Sequence, residues 1–430
     1  MVRSPNILWI VTTQWRAQAC GYAGDANART PNLDRFAAES VNYPQAVTPH
    51  PFGPFARAAI LTGIHAPDNG VRDYFDPLPT ETRTIAHELN DRGYATAFFG
   101  KWHLGKRDPR AALVGEAHAR IILPPAARGG FGFWEGFESG FLLNDPWLHG
   151  TEIPTPRKFD GYQSDVVCRR AAEWISGYAE RTDDCRSPWF GVVSLESPHP
   201  PYDAPAAGVT VRDPDKIVLA PNVPRGGDVE GKARRELAGY YAHIEATDRA
   251  IGRLIAAISK EDTIVVFTSV HGDMHGAHGL FRKGWPHEES VRVPLLVRLP
   301  PIKQGSEFRV LGSGLRVPGS GFRVPGSELV SLVDLSRWTL AWAERREPGT
   351  WNPELGTQVI QRISMPSVVA LPLQCDRAWR GIRTTTRKLI LNADDSPWLF
   401  FDLQNDPFEM TNLADDPMRR NEIDALRAGM

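Results

Sequence analysis

Short apolar runs alternate with amphipathic segments along this chain, and this alternation restricts its fold more than any other feature of the sequence. The apolar runs are NILWIVTT (6–13), ATAFFGK (95–101), PWFGVVSL (188–195) and TIVVFTS (263–269). Helical periodicity covers residues 81–92, about 164–180 and 233–260. Near-continuous apolar strands are typical of parallel sheets that are buried on both faces. We therefore predict an α/β fold in which helices sandwich a large, mainly parallel sheet.

The end of the chain shows a different pattern. Two strand-like runs, RKLILN and WLFFDL, precede a polar helix, which indicates a small α+β subdomain over residues 371–430 beside a larger domain over 1–370. Residues 106–160 are rich in Gly and Pro without a clear period, and we interpret them as loop insertions over the sheet. Residues 308–327 repeat FRVLGSG, LRVPGSG and FRVPGS. These units are too short for a solenoid and predict an exposed loop.

Charge and apolar content exclude two classes of protein. The 430 residues include 49 Lys and Arg against 51 Asp and Glu, a formal net charge of −2, so nucleic acid is not expected as a partner. No stretch approaches the roughly 18 uninterrupted apolar residues that a membrane span requires.

The amino terminus shows no signal-peptide pattern. The four cysteines are scattered, as is typical of reduced proteins: Cys20, Cys168, Cys185 and Cys375. We expect a cytoplasmic protein.

Basic and imidazole side chains follow the predicted strands. Functional residues of an open parallel sheet cluster in the loops after the carboxyl ends of its strands. Such loops hold Lys101, His103, His199 and His271, while Arg57 opens the helix-like segment RAAILTG and Lys283 lies in LFRKGWP. Six such groups at one edge of a sheet indicate an anion site, because Arg and Lys supply fixed charge and His can move a proton.

Several sequence segments follow one another along the chain in an order that resembles a known protein family. The segments that carry it are NILWIVTTQWRAQACGYAG, TPNLDRFAAESV, RAAILTGIHAPDNGV, FFGKWHLG, ESPHPPY, VVFTSVHGDMHGAHGLFRKGWPHEESVRVPLLVR, and RKLILN with LFFDLQNDPFEMTNLADDP. Nearly end to end, the chain resembles the formylglycine-dependent sulfatases of the alkaline-phosphatase superfamily, which implies their fold. The resemblance implies contacts with sulfate oxygens for Lys101, His199 and Lys283. It also implies that Arg57 and His103 support the nucleophile, and that His271 lies on the metal side.

The chain departs from that family at the positions of its chemistry. The family's formylglycine forms from a Cys or Ser four residues before Arg57, where this chain has Gly53, so no formylglycine is expected. The family's calcium ligands correspond to Thr13, Gln14, Val270 and His271. A hydroxyl and an isopropyl group replace two carboxylates there, and we predict no metal site. The basic side chains that remain at the site can still bind a sulfate, phosphate, sulfonate or carboxylate group.

Two alternatives for the site stay open. One is a zinc or other transition-metal site in a segment that three glycines interrupt, with the candidate ligands His271, Asp273, His275 and His278. The other is a substitute nucleophile activated by a histidine, with the candidate hydroxyls Thr12, Thr13 and Thr48. Of these three, Thr13 occupies one of the lost metal positions.

We expect a repurposed enzyme that acts on an anionic small molecule without a metal or another cofactor, by hydrolysis, elimination or condensation. The anion would be bound by Arg57, Lys101 and Lys283. General acid and base chemistry would come from His199, His103 or His271. One alternative is a non-catalytic pseudo-sulfatase that binds an anion or a protein partner, the latter through the 308–327 repeat. A second alternative is slow hydrolysis of sulfate or phosphate esters.

Overall fold

A nine-stranded sheet forms the centre of the structure. The computed structural model describes residues 4–180, 187–301, 315–316, 323–324, 329–345 and 360–430. The strands of the sheet are β1 (Asn6–Thr12), β2 (Val41–Asn42), β3 (Ala95–Lys101), β4 (Phe133–Phe137), β5 (Trp147–Gly150), β6 (Arg157–Lys158), β7 (Trp189–Ser194), β8 (Thr263–Ser269) and β9 (Leu295–Arg298). Their order is β2-β9-β8-β1-β7-β3-β4-β5-β6. The five central strands, β8 to β4, are mutually parallel and the outer ones are antiparallel, which confirms the predicted mainly parallel sheet.

Alternating side chains of β1 pack into two separate hydrophobic layers, one on each face of the sheet. Ile7 and Trp9 belong to one core cluster, whereas Leu8 and Ile10 belong to the other. Successive side chains of a strand point to opposite faces, so a strand that is apolar throughout must be covered on both sides. The sequence pattern of β1 therefore requires helices on both faces of the sheet.

Helices cover both faces as that pattern requires. They are α1 (Pro31–Ala38), α2 (Gly53–Thr62), α3 (Ile85–Asn90), α4 (Glu116–Ala119), α5 (Gln163–Glu180), α6 (Gly227–Ala256), α7 (Glu288–Val291), α8 (Leu335–Ala343) and α9 (Arg420–Ala428). Helices α1, α5 and α6 pack together on one face, and α2, α3 and α8 on the other. None of the helices in the described ranges is both long and apolar enough to cross a membrane.

Two helices start several residues away from the predicted position, for local reasons. Helix α3 begins only at Ile85, because the Thr84 hydroxyl accepts a hydrogen bond from the Ala86 amide (3.2 Å) and caps the helix there. Helix α6 begins at Gly227, six residues before the predicted start. Its first turn is polar and shows no apolar periodicity. Gly226 precedes this turn as the N-cap residue and has a positive φ (78°), which favours glycine.

The segment 106–160 does more than cover the sheet with loops, and that prediction was wrong. Strands β4, β5 and β6 extend the sheet from β3 outward, in parallel at β4 and antiparallel beyond it. Gly136 in β4 allows this pairing, because a Cβ atom there would collide with the carbonyl oxygen of Gly100. Aromatic and glycine residues within strands of two to five residues hide the period that marks a longer strand.

A second, antiparallel sheet forms from residues near the end of the chain. Its strands are β12 (Gln361–Met365), β13 (Trp379–Arg383), β14 (Arg387–Asn392) and β15 (Pro397–Asp402), paired in chain order, and α9 follows them. The described part of the 308–327 repeat is an antiparallel pair of two-residue strands, β10 (Leu315–Arg316) and β11 (Arg323–Val324). The rest of that repeat and Cys185 lie outside the described residues. The other three cysteines are buried, and none of them forms a disulfide with another described residue. The division of the chain at residue 370 stays a prediction.

Buried charges join the second sheet to the main one. The guanidinium of Arg383 donates two hydrogen bonds of 2.9 Å to the two carboxylate oxygens of Glu288. The ammonium of Lys388 lies 2.7 Å from Glu288 and 2.6 Å from Glu409. We call these four residues the docking network.

Candidate functional site

A cavity of about 760 Å³ opens at the carboxyl edge of the parallel strands. Thr13 follows β1, Lys101 ends β3, His199 lies five residues beyond β7, and His271 lies two residues beyond β8. The lining includes Thr13, Gly53, Lys101, His103, His199, His271 and Lys283. The topology therefore brings to one place seven residues that the sequence singled out. Arg57, Gln14 and Val270 lie behind them.

Arg57 lies beneath the floor of the cavity. Its guanidinium donates hydrogen bonds to the hydroxyls of Thr13 (2.7 Å) and Ser194 (2.5 Å) and to the Lys101 carbonyl (3.3 Å). Burial lowers its pKa to about 10, a value at which it still carries its charge at neutral pH. The positive charge of Arg57 thus acts on the cavity from beneath its floor, while the N–H groups of the guanidinium are hydrogen-bonded to Thr13, Ser194 and Lys101.

Gly53 is the first residue of α2, and the imidazole of His103 lies against it. A Cβ atom at position 53 would lie 2.8 Å from Nδ1 of His103. Nε2 of that ring accepts a hydrogen bond from the Arg107 guanidinium (3.0 Å), so the ring proton is on Nδ1, which is buried and has no hydrogen-bond partner among the described residues. Burial, together with the neighbouring Lys101 and Arg107, holds the pKa of His103 well below its ordinary value. A neutral N–H donor is therefore directed at the place of the missing side chain.

Lys101 forms a buried ion pair with a carboxylate that the sequence did not single out. Its Nζ lies 2.5 Å from Oε1 of Glu196, and both side chains are inaccessible to solvent. Nζ also lies 4.7 Å from the centre of the Phe141 ring. Burial lowers the pKa of Lys101 to about 8, although Glu196 opposes that shift.

Lys283 contacts two neutral acceptors. Its Nζ donates to Oε1 of Gln14 (2.6 Å) and to Nε2 of His199 (3.2 Å). Nδ1 of His199 donates to the Pro200 carbonyl (2.7 Å), which leaves Nε2 as the acceptor, and the ring is stacked on Phe141 at 4.4 Å. Burial lowers the pKa of Lys283 to about 7.

A buried network fixes Gln14. Its amide nitrogen donates to Oδ2 of Asp273 (2.5 Å), and that oxygen also accepts from the Tyr202 hydroxyl (2.6 Å). Burial favours the neutral form of Asp273, yet His275, Arg282 and Tyr202 hold its pKa below the ordinary value. Because Asp273 fixes the amide nitrogen, the amide oxygen of Gln14 faces Lys283.

Comparison with known proteins decides the family. Residues 5–343 match the family model described as Sulfatase. The chain belongs to the sulfatase family. The Ulvan-active sulfatase of Formosa agariphila is 32% identical over 98% of this chain and 80% of that protein. The choline-sulfatase of Rhizobium meliloti is 28% identical over 96% of this chain and 84% of that protein. The structure of the phosphonate monoester hydrolase SpPMH from Silicibacter pomeroyi superposes with a TM-score of 0.71 at 22% identity, over 99% of this chain and 94% of that one.

The formylglycine and calcium of sulfatases do not fit the corresponding positions here. Gly53 has no side chain to oxidise. The Thr13 hydroxyl accepts from Arg57 and donates to the Leu195 carbonyl (2.9 Å), and the Gln14 oxygen accepts from Lys283. Val270 is fully buried in a hydrophobic cluster. Calcium prefers six to eight oxygens, several of them charged, whereas this set offers no carboxylate and has cations on two of its oxygens.

His271 keeps one free lone pair in the cavity. Its Nδ1 donates to the Gly272 carbonyl (2.8 Å), which makes Nε2 an acceptor, and within the part of the chain that the structure describes this buried Nε2 has no hydrogen-bond partner. Burial and the neighbouring Lys283 hold the pKa of His271 well below its ordinary value. The same cause, with Lys283 and Lys101, acts on the pKa of His199. All three imidazoles that line the cavity are therefore neutral at pH 7.

The two alternatives left open by the sequence find little support in the geometry. His275 packs between Tyr202 and Tyr240, while His278 packs against His287. Among the described residues, the group that could hold a metal is a different one, His278 with Glu289 and Glu409, outside the cavity lining. The candidate nucleophiles Thr12, Thr13 and Thr48 each donate to a backbone carbonyl, of Thr268, Leu195 and His50 respectively.

Proposed function

We propose that this sulfatase-family protein is an enzyme that binds an anionic small molecule and works without calcium or formylglycine. The observation that carries the proposal is the convergence of two lysines and three neutral imidazoles on one cavity beside a glycine at position 53. Lys101 and Lys283 would bind the anion, with Arg57 adding charge from below. The ligand would be a sulfate, phosphate, sulfonate or carboxylate.

The tautomers support an acid–base assignment. His103 presents a proton on Nδ1, and His271 presents a lone pair on Nε2, both without a partner in the described structure. A donor and an acceptor at one cavity are the arrangement that general acid–base catalysis needs. His199 would serve as a base once its Nε2 is released from Lys283.

The proposal is tested by elemental analysis of the purified protein together with thermal melts in sulfate, phosphate, calcium and EDTA. We expect no bound metal, a rise of several degrees in Tm with either oxyanion, and no effect of EDTA or calcium. A double variant, Lys101→Met with Glu196→Gln, removes the charge without leaving a buried carboxylate alone, and should lose the oxyanion effect. The exposed Lys260→Met is its matched control and should keep that effect.

The pH dependence of the same melts has a defined sign. The pKa of Lys283 is lowered to about 7 and that of Lys101 to about 8, so both ammonium groups lose their protons as the pH rises through this range. Stabilisation by sulfate should therefore be largest below pH 7 and small above pH 9. A stoichiometric metal whose removal by EDTA lowers Tm, or turnover of nitrophenyl sulfate that requires calcium, would contradict the proposal.

A further inference from the structure

The three cations of the site differ in what they touch. The guanidinium of Arg57 binds hydroxyls and a carbonyl and keeps its charge at neutral pH. Lys101 has a carboxylate at 2.5 Å. The hydrogen-bond partners of Lys283 Nζ in the described structure are an amide oxygen and an imidazole nitrogen, which do not require a positive charge. Lys283 is therefore the cation best able to become a neutral amine.

We propose that Lys283 is a nucleophile that forms an imine with an aldehyde or ketone bearing an anionic group. The inference rests on the proposed anion pocket, since Lys101 would hold the anionic group while Lys283 attacks the carbonyl carbon. An α-oxo acid is the simplest molecule with both features. A lysine activated by desolvation beside another cation is an established route to imine chemistry in general.

The surroundings of Lys283 supply what that step needs. Nε2 of His199 lies 3.2 Å from Nζ and can take its proton. The ring of Phe52 lies 5.4 Å from Nζ, and the side chain of Lys283 is almost wholly buried.

The step balances without an oxidant or reductant. The lone pair of Nζ forms a bond to the carbonyl carbon, and the carbonyl oxygen takes a proton to give a carbinolamine. Loss of water then leaves an iminium ion whose C=N bond draws electrons from the adjacent carbon. His271 lines the same cavity, and the free lone pair on its Nε2 is the base that would remove a proton from that carbon. This chemistry leads to condensation or cleavage next to the carbonyl.

The experiment traps the imine in the full chain. The protein is incubated with glyoxylate or pyruvate and sodium cyanoborohydride at pH 7, and modified lysines are identified by peptide mass spectrometry. We expect one modified residue, Lys283, labelled at least ~10-fold faster than exposed lysines, because an anionic group bound at Lys101 would hold the carbonyl carbon beside the Lys283 amine. Sulfate should slow the labelling, and acetaldehyde, which carries no charge, should label more slowly than glyoxylate.

Two variants provide controls. Lys283→Arg should abolish the fast labelling, and Lys260→Arg should leave it unchanged; the sulfate competition gives the same information in the unaltered protein if Lys283→Arg does not fold. Labelling spread over exposed lysines would overturn the inference. Sulfate stabilisation without any adduct on Lys283 would overturn it and leave the proposed anion pocket standing. Fast labelling of Lys283 without sulfate stabilisation would instead overturn the anion pocket on which the inference rests.

Discussion

At the scale of single residues, the position without a side chain is as informative as the charged ones. His103 lies close enough to Gly53 that no ordinary Cβ atom fits between them. Its ring is held from the other side by Arg107, and its backbone is left-handed (φ 58°), as is that of Gln14 (φ 65°). Such strained backbones in side-chain-bearing residues concentrate at functional sites. Gly53 and His103 therefore form one packing unit, in which the imidazole ring occupies the space that a side chain at position 53 would need.

Gly53→Ala tests that unit. The added methyl must displace the His103 ring, and we expect a loss of ~1–3 kcal/mol in the free energy of unfolding, as for other overpacked cores. Gly177→Ala is the matched control, because Gly177 lies within α5 with nothing near its missing Cβ, and it should stabilise by ~0.5–1 kcal/mol. Urea melts measure both. Equal stability of Gly53→Ala and the unaltered protein would show that His103 moves freely.

The sequence predicted the charged groups at the site but not their partners. Lys101 and His199 could be placed near strand ends because the apolar runs before them are clear, whereas Lys283 was singled out within LFRKGWP, well beyond the run that ends at Ser269. Glu196 and Phe141 lacked a pattern of their own, since their roles depend on which side chains the fold brings opposite them. The tautomers of the histidines likewise follow from three-dimensional contacts alone.

At the scale of elements, the ion pair of Lys101 and Glu196 joins the end of β3 to the loop after β7. These neighbouring strands already pair along their length. The ion pair fixes the loop from which His199 reaches the cavity. Removing one member of a buried pair leaves the other charge unbalanced, which is far more costly than breaking an exposed pair.

Glu196→Gln should cost ~3 kcal/mol of stability at pH 6. The cost should shrink as the pH rises past 8, because Lys101, whose pKa is about 8 with Glu196 present, then loses its proton. Asp395→Asn breaks a pair with Arg380 whose side chains are each 47% exposed, and should cost ~0–1 kcal/mol at either pH. Thermal melts at pH 6 and pH 9 compare the two variants. A pH-independent loss in Glu196→Gln would argue against a charged Lys101.

Elements with long apolar runs were predictable, and short ones were not. Strands β3, β8 and β14 have the predicted bounds, because seven or six consecutive residues form a strong signal. Strands β4 to β6 escaped prediction since their pairing depends on close approach at Gly136 and on their neighbours rather than on their own sequence.

At the scale of the whole molecule, the docking network adds buried charge to the apolar packing between the two sheets. Glu288 precedes the last strand of the main sheet, whereas Arg383 and Lys388 belong to the second sheet. Trp379 adds a hydrogen bond from its indole nitrogen to the Gly284 carbonyl (2.8 Å), one residue from Lys283. The second sheet thus supports the loop that carries Lys283.

Lys388→Met should weaken this contact strongly. Glu288 and Glu409 would lose the ammonium between them, and we expect a loss of ~3 kcal/mol or more. The exposed pair of Arg380 and Asp395 provides the control, and Arg380→Met should cost ~0–1 kcal/mol. Urea melts followed by circular dichroism measure both. Similar small losses in the two variants would show that the docking network contributes little.

The edges of the main sheet have a consequence for crowded solutions. Each outer strand, β2 and β6, has only two residues, and the side chains of β6 are the exposed Arg157 and Lys158. A neighbouring molecule that tried to extend the sheet would gain very few rungs of backbone pairing and would meet two like charges at one edge. Growth of cross-β fibres by strand addition to the folded protein is thereby disfavoured, which helps a protein with so large a sheet to remain dispersed at high concentration.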